Sequence, residues 1–235
     1  MAVIHQTDLK PTKLELLTAW LPSRPWYLGD PAGPVLAKAG GFRLDDPEGE
    51  VGIEFMVVTD TSGTLPTSYL LPLTYRGAPL DGAEHALVGT TEHGVLGPRW
   101  AYDGCHDPVL VAQLLALIQG RVEAQAQNTS DSPDREVTRS YRAHGAVPAD
   151  FTAAATDDAT DDATDDAEGT ELTGPDGTSL RLHRVLRPAP DGGPVPPPEA
   201  VGHVAGAWHG PDGTTVRGLF VAVHARAQEV PSRQE

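Results

Sequence analysis

Residues 41–60 read GFRLDDPEGEVGIEFMVVTD. Phe42 and Leu44 begin a strand, DDPEGE (45–50) supplies a turn, and Val51, Ile53, Phe55 and Val57 return with an apolar period of two. That period is the mark of a strand with one face in a core. Working outward, a second turn is expected over 61–66, after which Tyr69, Leu71, Leu73 and Tyr75 repeat the alternation. Pro72 has no N–H for a sheet ladder, which predicts an edge or a bulge at this strand. The three runs together predict an antiparallel meander covered by helices on one face.

Two helices flank the meander. Thr12 and Glu15 have capping-box spacing, and Leu14, Leu17 and Leu21 then form an apolar face that should end before Pro22. The following LPSRPWYLGDPAGP (21–34) holds too many prolines and glycines for a regular element, so Trp26 and Tyr27 are expected to anchor it against the core. The second helix is the clearer one. Asp107 is suited to cap it, Pro108 fits its first turn, VLVAQLLALIQ (109–119) is its body, and Gly120 ends it.

Beyond Asn128 the composition shifts. NTSDSPD (128–134) reads as a linker, and VTRSYR (137–142) and ADFTAA (149–154) as strand-like runs. ATDDATDDATDDAEGTE (155–171) repeats a four-residue acidic unit, which favours a solvated, disordered loop; the alternating ligands and turn glycine of an EF-hand loop are not there. GPDGT occurs at 174–178 and again at 210–214, each time between possible strands, and predicts two hairpins. RPAPDGGPVPPPEA (187–200) between them reads as a linker. The expected fold class is α+β: a curved, mainly antiparallel sheet packed with one or two helices, followed by further hairpins. The expected division is 1–130 and a β-rich 131–235.

The 235 residues carry 33 acidic and 17 basic side chains, a formal net charge of −16. Such a field repels phosphate backbones and anionic lipid, which argues against nucleic-acid and membrane partners. A single cysteine, Cys105, and a start without signal-peptide order predict a soluble, cytoplasmic protein.

Chemistry-bearing motifs are sparse. Neither GxxxxGK[ST] nor GxSxG occurs, and no carboxylate pair has kinase spacing. The nine histidines make no HxH or HExxH pattern, and Cys105 with His106 is short of a zinc ligand set. No cofactor or metal is expected. Two groups can be weighed for function: Thr90, Thr91, Glu92 and His93 before GVLGPRW, with acid/base chemistry or a polar turn as readings; and Tyr75, Arg76 and Asp81, with sugar stacking or a strand leaving for a turn. The turn reading is favoured for both.

FRLDDPEGEVGIEF, PLTYRGAPL, GTTEHGVLGPRWAYDG and HDP together resemble the N-terminal cap domain of actinobacterial maltokinases, over roughly residues 1–130. The resemblance implies a curved antiparallel sheet with helical packing, set beside a kinase body that this chain does not carry. The ATP-binding and sugar-phosphorylating residues of that family lie outside the cap, so no position here receives those roles. By the same resemblance, the turns at 75–82 and 92–99 are the expected partner-facing surfaces, with Tyr75, Arg76, Asp81, Glu92, His93 and Arg99 as candidates. The expected function is an accessory or regulatory module beside a sugar kinase or another α-glucan- or trehalose-pathway enzyme. A free-standing sugar-binding protein and an unrecognised carbohydrate-active enzyme are the alternatives.

Overall fold

A computed structural model describes residues 9–129, 132–142, 163–174, 177–190 and 193–225. The deciding stretch folds as read. β2 (Leu36–Leu44), β3 (Gly52–Asp60) and β4 (Thr67–Arg76) form an antiparallel meander, with Phe42 opposite Phe55 and Phe55 opposite Pro72. The turn between β2 and β3 is held by the buried Asp46, whose carboxylate accepts from the backbone N–H groups of Glu48, Glu50 and Val51 at 2.9–3.1 Å. β2 begins at Leu36, earlier than its alternation shows, because Lys38, Gly40 and Gly41 interrupt the pattern at a bulge. At Gly41, with φ 123°, a Cβ would stand 2.1 Å from Phe55 O, so only glycine lets the strands close at this bend.

Both helices are where their caps place them. α1 (Lys13–Trp20) has both halves of the capping box: Glu15 N donates to Thr12 Oγ1 and Thr12 N to Glu15 Oε2. α2 (Pro108–Gln119) starts at Asp107, which accepts from Val109 N at 3.0 Å, and stops at Gly120 with φ 77°, the left-handed cap.

The helices do not share a face of the sheet. α1, Trp20, Leu21 and Trp26 pack on Met56, Val58, Tyr69, Leu71 and Leu73, whereas α2 packs on the opposite side with Phe42, Phe55, Val57 and Leu70. This corrects the expectation of a single covered face. The reason is in FMVV (55–58), where both parities are apolar, and β3 is buried on both sides from Ile53 to Asp60.

The remaining strands are β1 (Leu9–Lys10), β5 (Leu87–His93), β6 (Gly97–Asp103), β7 (Gln125–Ala126), β8 (Thr138–Tyr141), β9 (Ala163–Asp165), β10 (Gly169–Thr173), β11 (Ser179–His183), β12 (Val185–Leu186), β13 (Ala200–His209) and β14 (Thr215–His224). All join one sheet, ordered β1-β5-β6-β4-β3-β2-β13-β14-β11-β10-β9, with β12 on β4, β7 on β2 and β8 on β13. Among the described residues every pairing is antiparallel, and the expected hairpins are present as β10–β11 and β13–β14, residues 175 and 176 of the first GPDGT lying outside the described residues. Of the acidic run, 155–162 lies outside the described residues, as do 149–154. Its later part departs from the expected loop: β9 and the start of β10 pair there, stitched by Asp166, which accepts from Glu168 N and Gly169 N and binds Arg181.

The sheet is open, with β1 and β9 at its ends, yet it curves until β12 pairs back on β4. β4 therefore has β3 along one side and shares the other between β12, at Ser68 and Tyr69, and β6, from Leu73 to Arg76. Leu70 N donates to Arg184 O across this second edge at 2.9 Å. Two residues on, the nitrogen of Pro72 faces the same side, at the changeover where neither strand needs an N–H. Pro72 marks neither an outer edge nor a bulge of β4 but the seam between its two neighbours.

Candidate functional site

Three connections lie at one end of the sheet. Gly52 pairs with Tyr75 and Arg76 with Trp100, so the β2–β3 turn, the start of the 77–86 connection and the β5–β6 hairpin tip (94–96) lie past the same strand ends. Arg99 ties two of them, since a Cβ on Gly77 would stand 2.5 Å from Arg99 Nη1. Asp81 and Glu92 are exposed beside them. Tyr102, in β6, steadies the 77–86 connection by accepting from Leu80 N through its hydroxyl at 2.9 Å.

Two of the candidate residues are turned inward. Tyr75 donates its hydroxyl to Glu54 Oε2 at 3.0 Å; Lys13 pairs with the same oxygen, and Gln127 Nε2 donates to Oε1 at 3.1 Å. The Lys13 ammonium lies 4.9 Å from the Tyr75 ring centre. Burial pushes the Glu54 carboxyl up, but Lys13, Lys38 and the Tyr75 hydroxyl together hold it below its ordinary value. Burial first, then the Glu54 charge and hydrogen bond, raise the Tyr75 phenol well above its ordinary value. Tyr75 is thus a neutral donor already committed to Glu54, not a free stacking platform.

Arg76 is committed as firmly. Its Nε and Nη2 grip Asp107 Oδ2 and Oδ1 at 2.7 and 2.8 Å, while Oδ1 also caps α2. Asp107→Ala removes the cap and the arginine's partner together. It is expected to lower the unfolding free energy by about 2 kcal/mol, mostly through the cap because Arg76 remains partly solvated. A urea titration reads this as a lower midpoint at unchanged slope.

The hairpin tip lies within the expected partner-facing turn 92–99, but its apolar pair was not among the candidate residues. Val95 and Leu96 are 62% and 47% exposed. Their backbone N–H groups donate to His93 Nδ1 at 3.3 and 3.1 Å, which fixes the tip from inside. The strand leading into the tip is fixed from outside, where β1 pairs Leu9 with His93 and Lys10 with Glu92, and Thr91 donates to Pro11 O at 2.7 Å. His93 therefore shapes the turn, and the apolar pair it displays was legible only as two letters in GVLG.

The other chemically loaded cluster is buried between the two parts of the chain. Arg184, fully buried between β11 and β12, donates through Nη2 to Asp103 Oδ1 and Oδ2 at 2.8 and 2.7 Å and to Cys105 Sγ at 3.1 Å, and through Nε to Thr170 Oγ1 at 2.6 Å. Its guanidinium carbon lies 5.2 Å from the Trp26 ring centre. Burial alone would raise the Asp103 carboxyl; Arg184 and the adjacent His106 bring it below its ordinary value instead. Burial drives the Cys105 thiol well above its ordinary value; Arg184 opposes the rise, and Asp103 and Asp165 add to it. A thiol kept protonated is a poor nucleophile, so this cluster is suited to holding strands, not to covalent chemistry. Among the described residues no three His, Cys, Asp or Glu side chains are placed to hold a metal ion, and no helix is long and apolar enough to cross a membrane.

No curated protein matches the chain. Residues 20–107, which supply β2 to β6 and end at the residue that caps α2, match the family model of the maltokinase N-terminal cap domain.

Proposed function

We propose that the chain is a non-catalytic accessory module that docks on a sugar kinase or another enzyme of α-glucan metabolism. The docking surface in this reading is the β5–β6 end of its sheet. One observation carries it: a hairpin tip pinned by His93 and β1 that nevertheless displays Val95 and Leu96 to solvent. Exposed apolar side chains on a rigid support are what a docking site requires, since little conformational freedom is lost on binding. Glu92 is exposed beside the tip, with Lys10 opposite it in β1, so the matching partner surface is an apolar pocket with a polar rim. The cap-domain match over 20–107 supports the enzyme class.

The test is affinity isolation of the full chain at physiological salt, compared with the double variant Val95→Asp, Leu96→Asp. Recovery of a carbohydrate kinase or α-glucan enzyme is expected with the unaltered chain. It should fall by about tenfold or more with the variant, the loss typical of charging an apolar anchor. Equal recovery with both, or recovery of no such enzyme, overturns the reading.

A further inference from the structure

Leu87 pairs with Tyr102, so the residues just before β5 and just after β6 meet at the open end of that hairpin. There Glu84–Ala86 and Gly104–His106 each form a single 3₁₀ turn. His85 Nε2 stands 3.1 Å from His106 Nδ1, with the two rings at 86°. Both turns are fixed from within. Ala83 and Ala86 are buried, and Ala86 N donates to Ala83 O at 3.0 Å. Gly104 and Cys105 are buried as well, with Cys105 N donating to Asp103 Oδ1 at 3.2 Å and Asp107 N to Gly104 O at 3.1 Å. His85 itself is exposed and His106 half-buried, so two rigid turns hold a pair of imidazoles together at the surface.

We infer that His85 and His106 form a chelating site for a divalent transition metal such as Cu²⁺ or Zn²⁺. Metal–nitrogen bonds of about 2.0–2.1 Å put two ligands of one ion about 2.9 Å apart at a right angle and about 3.3 Å apart at a tetrahedral one. The 3.1 Å between Nε2 and Nδ1 falls between these spacings, so side-chain rotation is enough to turn both lone pairs onto one ion. Without an ion the same contact is a hydrogen bond at the surface, where water competes and the net gain is small. Imidazole also selects the ion. It suits copper, zinc and nickel, with copper bound most strongly, whereas calcium and magnesium are held by oxygen. Two imidazoles fill two coordination positions, in keeping with the lack of any set of three ligands among the described residues, and the rest are left to water. The net charge of −16 raises the concentration of cations around the chain.

The test is a calorimetric titration of the chelator-treated full chain with Cu²⁺ and, separately, with Zn²⁺ at neutral pH, joined to electron paramagnetic resonance of the copper complex. Saturable binding in the micromolar range is expected for at least one of the two ions, and a copper signal split by two imidazole nitrogens. His85→Ala should weaken that binding by about tenfold or more, since losing even a partner outside the ligand shell costs about that much. His85 is exposed, so its variant retains the fold and keeps the test valid should His106→Ala not fold. His209→Ala, at an exposed histidine ending β13, should leave the titration unchanged, as should Val95→Asp, which separates this site from the docking end. No saturable binding of either ion, binding unaffected by His85→Ala, or an equal loss in His209→Ala overturns the inference.

Discussion

Arg184→Leu should lower the unfolding free energy by about 3–5 kcal/mol, the range for removing one member of a buried ion pair. The loss arises less from the contact itself than from what stays behind. Asp103 is 2% exposed, and without the guanidinium its carboxylate is left with the Cys105 N–H, at 3.2 Å, in place of a counterion. In a chain of this size the change corresponds to a fall of roughly 10 °C in Tm. The double variant Asp103→Leu, Arg184→Leu should regain much of the loss, because a buried pair replaced by apolar side chains is often near neutral. A single variant within about 1 kcal/mol of the unaltered protein would show that the bridge carries no such weight.

The same pair sets an acid dependence. The folded carboxyl of Asp103 lies below its ordinary value of 3.8, so the unfolded state takes up its proton first as pH falls. The stability contributed by the pair is fully present above the ordinary aspartate range and is lost as pH drops through the lowered folded value. In Arg184→Leu the carboxyl is still buried but has lost its counterion, so the acid midpoint should move to higher pH. Circular dichroism followed from pH 6 downward reads this directly, and an unchanged midpoint would contradict it.

What the sequence made legible is local. Asp107, Pro108 and Gly120 state the limits of α2 because a cap is a bond between residues two or three apart. The two GPDGT turns and the Asp46 turn are legible for the same reason. The bridge was not, because Asp103 and Arg184 are 81 residues apart and neither neighbourhood names the other. Nor was the role of Pro72, which depends on two strands from different parts of the chain meeting on one edge of β4. One signal was present and misread. The unbroken apolar run FMVV at 55–58 indicates burial on both faces, yet the period-two component over 51–57 alone predicts one covered face. At the candidate site, Tyr75 and Arg76 stand out as the residue types that bind ligands, but types do not reveal that Glu54 and Asp107 already hold them. His93 and the exposed pair beside it acquire meaning only from the hairpin geometry.

A chain ending at residue 130 should fail to fold cooperatively, although it contains the whole cap-like stretch. The central core is built from both parts: Phe42 stacks on Phe55 at 4.5 Å and faces Phe220 at 6.3 Å, and Leu182, Leu186, Val204, Trp208 and Val223 lie in the same cluster as α2. Cutting there uncovers the α2 side of the meander and strips β2 of its β13 neighbour and β4 of β12. It also leaves Asp103 without Arg184. The remaining apolar surface has nothing to cover it, and conformational entropy then exceeds what burial returns. The truncated chain should show little dispersion in a ¹H–¹⁵N spectrum, weak near-ultraviolet dichroism and strong dye binding by exposed apolar surface. The full chain should give coincident transitions by tryptophan fluorescence, which reports Trp26 and Trp208 on opposite sides of the sheet, and by far-ultraviolet dichroism. Phe220→Ala in the full chain is the graded form of the same experiment, expected to cost about 3–5 kcal/mol. Because Phe220 comes from β14 and its neighbours from β2 and β13, that loss should lower both probes' midpoints together. A dispersed spectrum and a sharp melt for residues 1–130 would instead make the cap-like stretch a folding unit of its own, with the later strands as an attachment.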